Sequence, residues 1–347
     1  MRFIFAFILI TTLYACGDEN TQKDFSYLPD ASGGYSTVNV IADEALWNEG
    51  LKDLIKPVLT KEIDGLISLE REFDIKNIRS KAFNRLFQRQ RLILLFVISK
   101  KVGRPGVSIK KDVYANGQVI IQVAARSKSA VKTLFKQKKE EILAALSAQR
   151  TAAIQKLACK ENNPKLESLI QNSHGISLTI PKSYKLGVDT TNFIYFFKKG
   201  SMKCEKFSHN KCYYQTGIFA YYLPYTTEKI FTPEYFHQMR DSITQLYIEG
   251  PKPSNNLRSY MQVYDGLPLA TQNITLNNKF GYKVKGWWDM KNGTMGGPFV
   301  STAYVDEIRG RVLVVDAFVF GPNFNKRRFI KELEAICLTL KSAEEGI

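Results

Sequence analysis

The stretch from Leu92 to Ala124 constrains the fold more than any other part of the chain. Leu92-Ile93-Leu94-Leu95-Phe96-Val97-Ile98-Ser99 is a continuous apolar run bounded by charge, the pattern of a central strand. After the turn Gly103-Arg104-Pro105-Gly106, Val107 to Tyr114 and Gln118 to Ala124 flank Asn116-Gly117. Asn and Gly tolerate the positive φ angles that a tight hairpin needs, so the two segments are expected to pair antiparallel. Upstream, Val38 to Ala42 reads as a short strand and Leu46 to Leu59 as a helix. Leu51, Leu54, Ile55 and Val58 share its apolar face, and Pro57 marks its last turn or a kink. A strand is expected near Leu66 to Phe73, then a helix with Phe83, Leu86 and Phe87 on its apolar side. A long helix from about Ser129 to Cys159 closes this unit, apolar at Val131, Leu134, Phe135, Ile142, Leu146 and Leu157.

Asn162-Asn163-Pro164 separates a second unit. Ile176 to Ile180, Phe193 to Lys198 and Ile218 to Leu223 read as antiparallel strands. A helix follows, with Thr232 as N-cap, Pro233 at its first position and Glu234 in its first turn. Strands at Tyr282 to Met290, Phe299 to Val305 and Val312 to Phe320 precede a helix from about Lys326 to Lys341. Phe329, Ile330, Leu333, Ile336, Cys337 and Leu340 form the apolar face of that helix. The fold class is therefore α+β: two units, 38–161 and 165–347, of mainly antiparallel sheet covered by helices. The second unit resembles the compact sheet of the PsbP/Mog1 type, an analogy of fold that implies no activity.

The first residues fix where such a chain would work. Arg2 and the apolar run Phe3 to Ile10 have the form of a secretory signal over 1–15, too short to span a bilayer. Leu13-Tyr14-Ala15-Cys16 has the form of a lipobox, so Cys16 is the expected lipid attachment residue. Two or three acyl chains would anchor it firmly. Residues 16–37, polar and turn-rich, read as a tether. Gly17-Asp18-Glu19-Asn20 resembles the acidic signals that sort lipoproteins outward, which places an outer membrane ahead of an inner one.

The formal charge is +16, and loss of residues 1–15 removes only Arg2. Export argues against nucleic acid as the partner of this charge. Lys100-Lys101, Lys110-Lys111, Lys136 to Lys139 and Lys326-Arg327-Arg328 could instead face anionic envelope polymers or phospholipid head groups, or simply keep the surface soluble.

Cys204 and Cys212 flank a polar loop between aromatic segments, with three readings open. They form a disulfide worth about 2–3 kcal/mol by loop-closure entropy, hold a metal with His209, or remain thiols. Three ligands without a fourth make zinc a poor fit, so no metal or cofactor is expected. Cys337 falls on an apolar stripe, and Cys159 has no assigned role.

No catalytic constellation emerges. His237 and Asp241 are spaced i,i+4 beside Ser242. With Phe236, Met239, Ile243 and Leu246 as the buried stripe, the pair would flank it, and no G-x-S-x-G elbow exists. Gly296-Gly297-Pro298 lacks the Lys and helix of a P-loop and reads as a tight turn. Alternation puts Tyr282, Val284, Trp288 and Met290 on one face of a strand and Lys283, Lys285, Trp287 and Asp289 on the other. Trp287 is therefore a candidate partner contact, either exposed or covered by a loop.

Several motifs occur in order along the chain. They are Leu28-Pro29-Asp30-Ala31-Ser32-Gly33-Gly34, Asp43-Glu44-Ala45-Leu46-Trp47, Lys111-Asp112-Val113-Tyr114-Ala115-Asn116-Gly117-Gln118, Met239-Arg240-Asp241-Ser242-Ile243 and Met295-Gly296-Gly297-Pro298-Phe299-Val300. From about Leu28 to Lys341 this resembles the lipoproteins of Bacteroidota grouped as domain-of-unknown-function family 4837. The resemblance implies a lipid-anchored envelope protein and carries no catalytic residue. Against it, the segment from Gly200 to Cys212 looks like an addition. The expectation is a binding or scaffold lipoprotein, with envelope proteins or anionic polymers as partners and no nucleic acid. An envelope enzyme acting on glycan or peptide is the alternative.

Overall fold

The computed structural model describes residues 28–204, 211–252 and 256–343. The expected signal peptide, Cys16 and most of the expected tether lie outside them. The first sheet contains β1 (Thr37–Ala42), β2 (Asp74–Arg79), β3 (Leu92–Ile98), β4 (Gly106–Lys111) and β5 (Val119–Ala125), in the order β2-β1-β3-β5-β4. The antiparallel expectation holds here for β4 and β5 alone. β1 pairs parallel with β2 and β3, and β3 pairs parallel with β5. Parallel neighbours need crossovers, which the segments between β1, β2 and β3 supply.

The crossover from β1 runs through α1 (Glu44–Leu46) and a π turn into α2 (Lys52–Leu59). Its irregularity sits at Gly50, whose φ of 98° breaks the regular helix, whereas Pro57 lies in the last turn. No strand forms at 66–73; the ladder begins at Asp74. The helix expected around Phe83 is one short turn, α3 (Arg85–Gln88), and Leu86 is exposed. The β4–β5 connection spans 112–118 and is wider than a two-residue turn. Asp112 takes a positive φ, and its Oδ1 accepts from the backbone N–H groups of Gly117 and Gln118.

α4 (Lys128–Lys160) starts at Ser127, whose hydroxyl accepts from the N–H of Ala130. At 1.5 Å per residue its 33 residues extend about 50 Å. That length lets one helix serve both units. Val131, Phe135, Ile142 and Leu146 pack with α2 on one face of the first sheet, while Ala158 belongs to the core of the second unit.

The second sheet is antiparallel. It comprises β7 (Lys185–Thr190), β8 (Phe193–Lys203), β9 (Lys211–Pro224), β10 (Tyr260–Val263), β11 (Ala270–Leu276), β12 (Lys279–Lys291), β13 (Gly296–Asp306) and β14 (Arg311–Phe320). The order is β10-β12-β13-β14-β9-β8-β7, with β11 also on β12. A two-residue pair, β6 (Ile176–Ser177) with β15 (Lys341–Ser342), stands apart.

α6 (Pro233–Tyr247) lies over Phe219, Trp288, Phe299 and Phe318. The other face packs Ile194, Phe196, Val300 and Val315 beneath α7 (Arg327–Cys337), with α5 (Pro164–His174) contributing Ile170. Leu246 is exposed, so the buried stripe of α6 is Phe236, Met239, Arg240, Ile243 and Thr244. The charge on this stripe is matched: Arg240 donates to both oxygens of the fully buried Asp316, at 2.8 and 3.2 Å. Gly296 and Gly297 belong to β13 rather than to a turn. A Cβ on Gly297 would overlap the Val319 carbonyl oxygen, so only glycine allows that approach.

Candidate functional site

The two units meet through three carboxylates that alternate in sequence, Glu70, Glu72 and Asp74. α7 begins after Lys326, whose side chain cannot accept hydrogen bonds, so its first amides need an outside acceptor. Glu70 supplies it: one oxygen accepts from the N–H of Lys326 at 2.7 Å and the other from that of Arg327 at 2.5 Å. Asp74 receives both ends of the Arg327 guanidinium, at 3.1 and 2.6 Å. Glu72 joins Arg150 of α4, at 2.8 Å, to Lys331 of α7, at 2.7 Å.

Lys331 also reaches Glu334, at 3.3 Å. Glu334 in turn lies 2.9 Å from Lys283 and 3.1 Å from Lys285 of β12. The alternation along β12 therefore sorts faces as expected, but the lysine face is covered by α7 and meets a carboxylate there. Four cations thus surround two carboxylates, the buried Glu334 and the half-buried Glu72. Burial opposes the charge on Glu334, yet Lys285, Lys331 and Lys283 outweigh it and hold this carboxyl well below its ordinary range. Burial likewise works against Glu72, and Lys331 with Arg150 brings its value down. Lys331 is pushed down to about 8, chiefly by burial; Glu334 and Glu72 oppose this, while Lys285 and Arg150 add to it.

Beside this network lies a groove of about 500 Å³ lined from both units. Tyr35, Ile154, Leu157, Ala158 and Pro181 give it apolar surface; Lys198, Arg327, Arg328, Lys331 and Glu332 give it charge. The volume is that of a small-molecule site, and the lining suits a ligand with an apolar body and a polar end. Its hydroxyls are those of Tyr35, Ser36, Thr37 and Ser183, and its lining contains no histidine to act on them as a base.

His237 sits on a separate depression of about 380 Å³ with Glu234 and Asp265. Its Nε2 lies 3.2 Å from Asp241 and 3.7 Å from Asp265, and the His237–Asp241 pair is half-buried. Burial raises the Asp241 carboxyl above its ordinary value, despite a hydrogen bond from the N–H of Val263. The Ser242 hydroxyl donates to the carbonyl of Gln238, so it is not delivered to this histidine. Among the described residues no three His, Cys, Asp or Glu side chains converge to hold a metal.

Cys204 and Cys212 are bonded as a disulfide, Cα atoms 5.1 Å apart, between the ends of β8 and β9. Their intervening residues 205–210, His209 among them, lie outside the described residues. Cys337 is buried and Cys159 exposed. Trp287 is half-buried on the β12 side that carries Lys283 and Lys285, and Gly65 of the first unit approaches Lys285 there. Glu70, Glu72, Arg150, Lys331 and Glu334 were not legible as a site; the acidic alternation at 70, 72 and 74 was the available signal.

The family described as "Domain of unknown function (DUF4837)" matches residues 163–339, and the chain belongs to it. A second, "Domain of unknown function (DUF8532)", matches residues 31–158. The motifs before Asn163 therefore fall in a different family from those after it. No curated protein matches the chain. Among solved structures, a point mutant of the protein Mog1 is 11% identical, with a TM-score of 0.29, 49% of this chain covered and 91% of that one. The Saccharomyces cerevisiae Ran-binding protein Mog1p is 12% identical, with a TM-score of 0.26, 49% and 90% covered. At those values the likeness carries nothing about partners or activity. The α+β class rests on the strand pairings themselves.

Proposed function

We propose that this member of the DUF4837 family is a lipid-anchored envelope protein that binds a small amphipathic ligand in the groove between its units. The observation that carries the reading is the groove, built from both units beside a charge network and lined without a nucleophile–base pair. The lipobox at Cys16 supports the anchor. The His237 depression is the weaker candidate, because both carboxylates address the same imidazole nitrogen and Ser242 is held away.

Thermal unfolding with a solvent extract of the cell envelope tests the groove. A ligand at a hundred times its Kd stabilises by about 2.7 kcal/mol, so the unfolding temperature of the wild type rises. Leu157→Arg, at a position already exposed in the groove wall, folds but loses that rise. An equal rise in both proteins, or none in either, contradicts the reading. Fractionation tests the anchor: Cys16→Ser should move the protein from the membrane to the soluble fraction, and full retention refutes it.

A further inference from the structure

Residues 76–124 contain eleven lysines and arginines and a single acidic residue, Asp112. They build β2 to β5 apart from the first two residues of β2 and the last of β5. One face of that sheet is covered by α2 and α4. On the opposite face a single row crosses all five strands: Lys76, Asn39, Ile93, Ile120 and Lys110, each registered with the next. The row is apolar at its centre and carries a lysine at each edge. Its cover is the segment around α3, where Phe83 packs on Ile41, Ile93 and Ile120. That segment turns Arg85 and Leu86 outward, Leu86 being 67% exposed. Tyr114 stands edge-on to Phe83 and is exposed. Lys76, Arg85 and Lys110 form no ion pair among the described residues.

The chain arriving from Cys16 reaches the fold at this same end. Asn116 of the β4–β5 loop donates to the carbonyl of Leu28 at 2.6 Å, and Ser32 is bonded to the backbone of Arg89. Leu28 lies twelve positions after Cys16, at most about 43 Å of extended chain. We infer that this face of the first sheet docks on a bilayer surface carrying anionic phospholipid head groups, with Lys76, Arg85 and Lys110 meeting the phosphates and Leu86 and Tyr114 at the interface. The inference rests on the anchor reading for its setting: acyl chains at Cys16 would hold the face within reach of the membrane, where weak contacts gain from high effective concentration. The attraction itself belongs to the face.

The test uses the mature chain carrying Cys16→Ser, so that no acyl chain contributes. It is sedimented with vesicles of phosphatidylcholine alone or with about one-third phosphatidylglycerol. Each cation near such a surface is worth about fivefold in affinity. Binding should require phosphatidylglycerol, weaken with salt, and fall by roughly a hundredfold in Lys76→Gln/Arg85→Gln/Lys110→Gln. The control Lys136→Gln/Lys139→Gln/Lys156→Gln removes equal charge from α4 and should leave binding nearly unchanged. Equal affinity for both vesicles, or equal loss in both variants, overturns the inference. So does retention on purified cell-wall polymer without preference for phosphatidylglycerol. Mass spectrometry of Cys16 in the wild-type protein judges the anchor separately: a free thiol there removes the anchor, whereas the vesicle results judge only the face.

Discussion

Substituting Glu72→Gln removes the charge that joins α4 to α7. Arg150 and Lys331 are 4% and 6% exposed in their side chains, and Glu72 is 18% exposed. Water therefore cannot replace the lost carboxylate, and breaking a buried pair costs about 3–5 kcal/mol. Part of the loss is recovered. Arg150 keeps the Glu72 backbone carbonyl at 2.8 Å and its stack over Phe73, 4.3 Å from the ring centre. Lys331 keeps Glu334 at 3.3 Å, and the glutamine carbonyl still accepts one hydrogen bond. The expected cost is therefore about 2–3 kcal/mol, at the low end of that range. Urea unfolding followed by far-UV circular dichroism reads it as a lower midpoint at unchanged slope. A cycle with Lys331→Met should show coupling of at least about 1 kcal/mol, because each change removes the same contact. A loss under about 0.5 kcal/mol, or strict additivity, would refute the argument that these charges hold the units together.

Acid should loosen the same junction. Glu72 and Glu334 have folded values below the ordinary 4.5, so their stabilisation is complete above that pH and is lost as pH falls through the folded values. The wild-type urea midpoint should drop steeply below pH 4.5, and Glu72→Gln should flatten that drop; parallel curves would count against it. Gly297→Ala should leave little folded protein, since its Cβ would collide with the Val319 carbonyl; wild-type yield and melting temperature would contradict this. Cys204→Ser/Cys212→Ser should cost about 2–3 kcal/mol by loop-closure entropy, read by urea unfolding, and no change on substitution or reduction would show that the bond contributes nothing.

Much of the fold was legible because local periodicity and burial agree. The helix expected over Ser129 to Cys159 runs from Lys128 to Lys160, capped by Ser127. Thr232 and Pro233 open α6 as their chemistry dictates. Strand direction was less legible. The runs in β3 and β5 announce burial, but parallel pairing depends on crossovers whose helices are short or kinked. α5, β7, β10 and β11 carry weak apolar patterns and take their stability from tertiary partners. His174 is buried in α5, and its Nε2 lies 2.9 Å from Asp189.

The site was legible only in fragments. Glu70, Glu72 and Asp74 alternate as a strand would, but their partners are a helix start, Arg150 and Lys331. Those last two lie 78 and 259 residues from Glu72, beyond any local pattern. Lys283 and Lys285 were placed on the correct face of β12, yet sequence could not show that α7 covers it with Glu334.

Native mass spectrometry of the protein purified from the cells that make it tests the groove most directly. The account predicts that the wild type retains a small amphipathic molecule and that Leu157→Arg, equally folded, does not. A wild type that carries nothing, or a variant that carries the same molecule at the same occupancy, would contradict it.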